Sequence, residues 1–103
     1  VILNLDPAKG REQKGVRPAV IISGNAFHSS GTAIVCPITT KIKGYAGNIT
    51  LKPNRINGLD AVSEVLIGQV RVVSTERIAR KIGKITDGEL TLIFRGLDVL
   101  CDR

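Results

Sequence analysis

Proline and glycine cut this chain into short apolar runs, and those runs are rich in β-branched residues. Val16–Ser23 reads VRPAVIIS and Thr32–Thr39 reads TAIVCPIT. Continuous β-branched runs of this length, bounded by turn residues, predict buried strands. Aromatic residues make up only 3% of the 103-residue chain. Val, Ile and Leu must therefore build the core, and their branched side chains fit a pleated, half-buried surface. Further strands are expected at Val1–Leu5, Asn48–Lys52 and Ser63–Ser74, and Glu76–Ile85 reads as one more strand or a short turn plus strand, with Asn57-Gly58 the strongest turn signal. Pro18 has no N–H to donate, so it belongs at the start or edge of its strand. Gly68, inside the long Ser63–Ser74 run, marks a bulge or a close backbone approach.

The period changes near the C-terminus. Leu90, Ile93, Phe94, Leu97 and Leu100 follow the i, i+3, i+4, i+7 spacing of an amphipathic helix. Thr86 with Glu89 three residues later fits a capping box, and Asp87 adds favourable charge to the first turn. Gly88 and Gly96 each weaken such a helix by roughly 1 kcal/mol, so packing must hold it. The expected fold is mainly β with a C-terminal helix, an antiparallel barrel of about six short strands. Length predicts one domain over residues 1–103. The first run begins inside an apolar stretch without Met, so a few residues are expected to precede Val1.

The formal net charge is +6 and the pI is about 9.8. That excess suits a polyanion, nucleic acid first. Scarce aromatics argue against modules that stack several bases on exposed rings. Tyr45, Phe27 and His28 are the few possible platforms, and phosphates must supply most of the contacts. Cys36 and Cys101 are distant and form no CxxC pair. With a single histidine they cannot build a usual zinc site. Cys36 is expected within a buried strand and Cys101 near the helix end. No apolar run approaches a membrane span and none resembles a signal peptide. The expectation is a soluble cytoplasmic protein with reduced cysteines and no metal or cofactor.

No Ser-His-Asp set assembles around His28, and GREQKG lacks the GK[ST] of a phosphate-binding loop. Arg, Glu, Gln and Thr on loops at strand ends remain. RNA cleavage by its own 2′-hydroxyl needs a base for the 2′ proton, an acid for the leaving 5′ oxygen and positive charge on the phosphorane. Arg17 offers a guanidinium fork matched to phosphate oxygens. Glu12 is a possible base, and Gln13, Thr39 and Thr40 are neutral donors. Taken singly, each residue fits a solvated strand end or a balanced surface charge equally well.

Taken in order, they resemble one family. NLDPAKGREQKGVRPAVIIS, then CPITTKIKGYAGNITL, then GQVRVV is similar to the MazF/PemK toxin endoribonucleases over nearly the whole chain. The resemblance implies an SH3-like barrel, related also to CcdB-type toxins, and a homodimer. It implies metal-independent, sequence-specific cleavage of single-stranded RNA, leaving a 2′,3′-cyclic phosphate and a 5′-hydroxyl. It further implies a cognate antitoxin whose acidic segment covers the RNA surface. The family's catalytic arginine falls on Arg17 and its catalytic threonine on Thr39, while its EQ pair falls on Glu12 and Gln13. RNA contacts are expected from Lys9, Arg11, Gln13, Thr40, Lys41, Lys43, Gln69 and Arg71. Because the arginine pKa lies above about 12, Arg17 is read as phosphate clamp and proton donor and Glu12 as base. Thr39 then holds the phosphorane oxygen. The loop Lys9–Gly15 is expected to close over RNA or yield to the antitoxin. The chain departs from the family at Gly68, where an acidic residue usually precedes the QV segment.

Three other readings compete: a barrel that binds nucleic acid without cutting it, an inactive family member, and a toxin that grips a protein such as DNA gyrase through its C-terminal helix. The ordered EQ, RP and TT segments argue against the gyrase-type reading.

Overall fold

A computed structural model describes residues 1–5, 17–24 and 29–101. The strands are β1 (Ile2–Leu5), β2 (Arg17–Ile21), β3 (Thr32–Thr39), β4 (Ile49–Leu51), β5 (Ser63–Val65), β6 (Arg71–Ser74) and β7 (Ile78–Gly83). One α-helix follows, α1 (Asp87–Cys101), and short 3-10 turns occupy Ile67–Gln69 and Thr75–Arg77. The strands form one antiparallel sheet in the order β4-β5-β3-β2-β1-β7, with β6 also on β3. Among the described residues no ladder joins β4 to β7, so the sheet stays open there. The turn after β4 spans part of that gap: Lys84 N–H, just past β7, donates to the Ile56 carbonyl at 2.9 Å.

The run expected as one strand over Ser63–Ser74 is in fact two. From the Val65–Ile38 pair to the Arg71–Val35 pair, six steps on this side face three on β3. Cys36 and Pro37 of β3 lie opposite the excursion, and proline has no N–H to offer a ladder there. The extra residues form the Ile67–Gln69 turn, which drops Ile67 fully into the core. Pro18 is second in β2, just before the pairing with β3 begins at Ala19.

Continuous apolar strands imply burial on both faces, and the core divides accordingly. Ile2, Val20, Cys36, Ile38, Leu51, Val65, Ile67 and Ile93 form one cluster. Leu3, Leu5, Ala19, Ala33, Val35 and Val73 form the other. Neighbouring residues of one strand feed opposite clusters, as Ala19 and Val20 do, following the two-residue period of the pleat.

The helix begins as its capping box requires. Glu89 N–H donates to Thr86 Oγ1 at 3.0 Å and Thr86 N–H donates to Glu89 Oε1 at 2.7 Å. Its apolar stripe is less buried than the spacing implies: Ile93 is fully enclosed and Leu97 packs partly on the core, but Phe94 and Leu100 are exposed. Close approach of backbone seats the helix. A β-carbon at Gly96 would fall on the carbonyl oxygen of Gly47, in the turn before β4. Gly96 is thus a contact point and not merely a weak helical residue. Ala would gain about 1 kcal/mol of helix propensity, but overpacking two backbones costs about 1–3 kcal/mol or more. Gly96→Ala is therefore expected to lower the thermal midpoint, by about 5 °C or more for a domain of this size, as read by calorimetry. A raised midpoint would show that the helix can shift to accommodate the methyl.

Candidate active site

The site is built on one row of the sheet. Leu5 of β1 pairs with Arg17 of β2. The β2–β3 register runs Ile21–Val35, Val20–Cys36, Ala19–Pro37; carried two residues further, it sets Arg17 opposite Thr39. Thr39 pairs on its other side with Glu64 of β5, and Glu64 with Thr50 of β4. Neighbouring strands lie about 4.8 Å apart. The row therefore brings a guanidinium and a hydroxyl, distant in sequence, to adjacent positions at one end of the sheet.

Arg17 is exposed at the first position of its strand, while the next residues but one, Ala19 and Val20, are buried. Its backbone is held by the β1 ladder and the side chain faces solvent. Thr39 ends β3 half-buried. Its Oγ1 accepts the Lys41 N–H at 3.1 Å, so the hydroxyl oxygen is oriented and its proton can be donated outward. Thr40, Lys41 and Lys43 follow on the exposed loop. Arg17, Thr39, Thr40, Lys41 and Lys43 thus share one end of the sheet.

Other expected site residues are placed differently. Gln69 is exposed and lines a groove of about 390 Å³ with Tyr45, Asn48, Leu66, Gly68 and Leu100. Arg71 pairs with Val35, four residues from Thr39 along β3 and so roughly 13 Å away. It does not join the Arg17–Thr39 row. At Gly68, a β-carbon would meet only Leu100 Cδ1 at 4.0 Å, so the backbone leaves room for a side chain there. Lys9, Arg11, Glu12 and Gln13, and the possible platforms Phe27 and His28, lie outside the described residues.

One residue was missed. Glu64 is only 2% exposed, and its carboxylate accepts Lys43 N–H at 2.7 Å and Gly44 N–H at 2.8 Å. The signal was present as a lone acid inside the apolar run SEVLI, since a charge is rarely buried without dedicated partners.

Neither cysteine offers a nucleophile to this row. Cys36 is fully buried in β3, and burial pushes its thiol up to about 11; Cys101 is exposed at the end of α1. Native protein at pH 8 should release one equivalent of thionitrobenzoate from Ellman's reagent, and denatured protein two. Because Cys36 keeps its proton longer when folded, stability should fall as pH rises from about 9 to about 11. Among the described residues no cluster of His, Cys, Asp and Glu could hold a metal ion, and no helix is long and apolar enough to cross a membrane.

A family model described as PemK-like, MazF-like toxin of type II toxin-antitoxin system matches residues 1–101. The chain belongs to this toxin family. Endoribonuclease MazF9 of Mycobacterium tuberculosis is 31% identical over 97% of this chain and 90% of its own length. The endoribonuclease toxin MazF of Escherichia coli K12 is 34% identical over 95% of this chain and 86% of its own. The MazF crystal structure from Deinococcus radiodurans superposes with a TM-score of 0.76 at 28% identity, covering 99% of this chain and 93% of that one. A MazE-MazF structure from the same organism matches at 0.69 and 27% identity, over 84% and 83% of the two chains. The family's mainly-β architecture with a C-terminal helix is the one seen here.

Proposed function

We propose that this chain, as one toxin domain, is a sequence-specific endoribonuclease that cleaves single-stranded RNA in the cytoplasm without a metal and is silenced by a cognate antitoxin. The observation that carries the reading is the single row holding Arg17 and Thr39, in a chain whose relatives are named endoribonucleases. In the step proposed, the 2′-oxygen bonds to phosphorus and the bond from phosphorus to the 5′-oxygen breaks. The 2′ proton passes to a base, read as Glu12, and the departing 5′-oxygen takes one from Arg17. A guanidinium stays charged at any working pH, which suits clamping and disfavours a base role; it gives up a proton only to a stronger base, as the departing 5′-alkoxide is. The Thr39 hydroxyl donates to a non-bridging oxygen as charge grows on the phosphorane. Lys41, Lys43 and Thr40 hold neighbouring phosphates, and Lys9, Arg11 and Gln13 are assigned to the same surface. The products are a 2′,3′-cyclic phosphate and a 5′-hydroxyl. Gln69, beside Tyr45, is assigned to RNA flanking the cut, and Arg71 to phosphates more distant along the strand. The active form is read as a homodimer.

The test is digestion of a long mixed-sequence RNA in excess EDTA, with fragment ends mapped by kinase labelling. Discrete cuts whose 5′ ends accept phosphate directly are expected. Intact RNA that is nonetheless bound, with strong salt dependence, would replace the enzyme with a binding module.

A further inference from the structure

Among the described residues, Glu64 is the one buried carboxylate, and the proposed chemistry does not use it. Its neighbours show what it does. Its backbone pairs with Thr39, at the end of β3, and its side chain grips the amides of Lys43 and Gly44. One residue therefore closes both ends of the loop that carries Thr40, Lys41 and Lys43. The loop can return to Glu64 because Gly44 takes a positive φ of 68°, a conformation other residues adopt at a cost. Beyond it, Asn48 N–H donates to the Tyr45 carbonyl at 3.1 Å, and Gly47 of that turn meets Gly96 of α1. The basic loop is thus pinned between strand and helix.

Burying a carboxylate is costly, and a neutral side chain could satisfy one amide. Two adjacent N–H groups pointing at one spot favour an anion with two oxygens. The row places this carboxylate two strands from Arg17, roughly 10 Å away, and its bonds reach the backbone of Lys43 itself. We infer that Glu64 is a positioning residue: its carboxylate fixes the 40–44 loop so that Thr40, Lys41 and Lys43 meet RNA phosphates without first being ordered. The inference rests on the ribonuclease reading for its RNA readout, though not for its loop readout.

Two measurements test it. In the wild-type protein, the Lys43 and Gly44 amide protons should exchange with solvent far more slowly than neighbouring loop amides such as Ile42. Free exchange at both would overturn the clamp, whatever the protein does to RNA. The second is Glu64→Gln, which keeps size and one acceptor. Losing one charge-assisted hydrogen bond should speed exchange at Lys43 or Gly44 by about tenfold, leaving the Val20 and Ile38 amides protected. On a cleavable RNA, KM should rise about tenfold with kcat within about threefold, because the loop orders before chemistry begins. A general folding defect would instead lower the active fraction and thus apparent kcat at constant KM, and that pattern would contradict positioning. If wild-type protein cuts no RNA, the ribonuclease reading fails, and the exchange data alone decide the clamp.

Discussion

Arg17→Ala is expected to reduce kcat for RNA cleavage by about a hundredfold to a thousandfold, the usual cost of removing a charge-stabilising donor. RNA affinity should fall much less, since Arg17 is one of several cations on that end of the sheet. Its first-strand position keeps the side chain exposed, so thermal stability should stay near wild type and separate a chemical from a folding effect. Arg17→Lys retains charge without the planar fork and should fall between the two. Thr39→Ala should share the kcat loss, and Thr39→Ser should recover most of it by restoring the hydroxyl. Equal cleavage by wild type and Arg17→Ala in gel-resolved time courses would remove Arg17 from the mechanism.

The largest effect on stability is expected far from that row, at Asn57. Its side chain is 0% exposed. Its Oδ1 accepts Asn54 N–H at 3.1 Å and Leu59 N–H at 3.0 Å, and its Nδ2 donates to the Lys52 carbonyl at 2.8 Å. Asn54 in turn accepts Ile56 N–H and Asn57 N–H, both at 2.8 Å. This one amide organises the turn whose Ile56 carbonyl receives Lys84 across the open edge of the sheet. Asn57→Ala leaves three part-buried backbone groups without their partner, at about 1–3 kcal/mol each where water cannot reach them. A total loss of about 3–5 kcal/mol is expected, a large share of the roughly 5–15 kcal/mol available to a small domain. Urea denaturation should show the midpoint falling steeply with little change in slope. A loss below about 1 kcal/mol would mean that water replaces the amide.

What was legible in the residues follows how local each signal is. The Thr32–Thr39 strand and the Thr86 capping box could be read directly, because both depend on neighbours within a few positions. Asn57-Gly58 marked a turn, but nothing nearby foretold that the asparagine is buried within it. The Ser63–Ser74 run reads as one strand because β-branched residues lie on both sides of Gly68; that glycine marked an irregularity, but its size, a turn at Ile67–Gln69 with Pro37 opposite, depends on the pairing partner. The stripe on α1 predicted burial of Ile93, Phe94 and Leu100; Ile93 is buried, but Gly96 rather than Phe94 or Leu100 faces inward, against the Gly47 turn. Arg17 and Thr39 were identified by resemblance, and their adjacency is a matter of register. Glu64 was overlooked since its partners are backbone amides some twenty positions away, invisible to any side-chain motif.

In the proposed step the RNA's own 2′-hydroxyl is the nucleophile, and this chain moves protons and stabilises charge without forming a bond to phosphorus. Once a cleavage position is mapped, one oligonucleotide should be made with a single 2′-deoxyribose 5′ to the cut linkage. Uncut substrate that still competes for binding with the all-ribose oligonucleotide is the predicted result. Cleavage at that linkage at an undiminished rate would mean that water or a protein group attacks phosphorus, and would contradict the roles given to Arg17, Thr39 and Glu12.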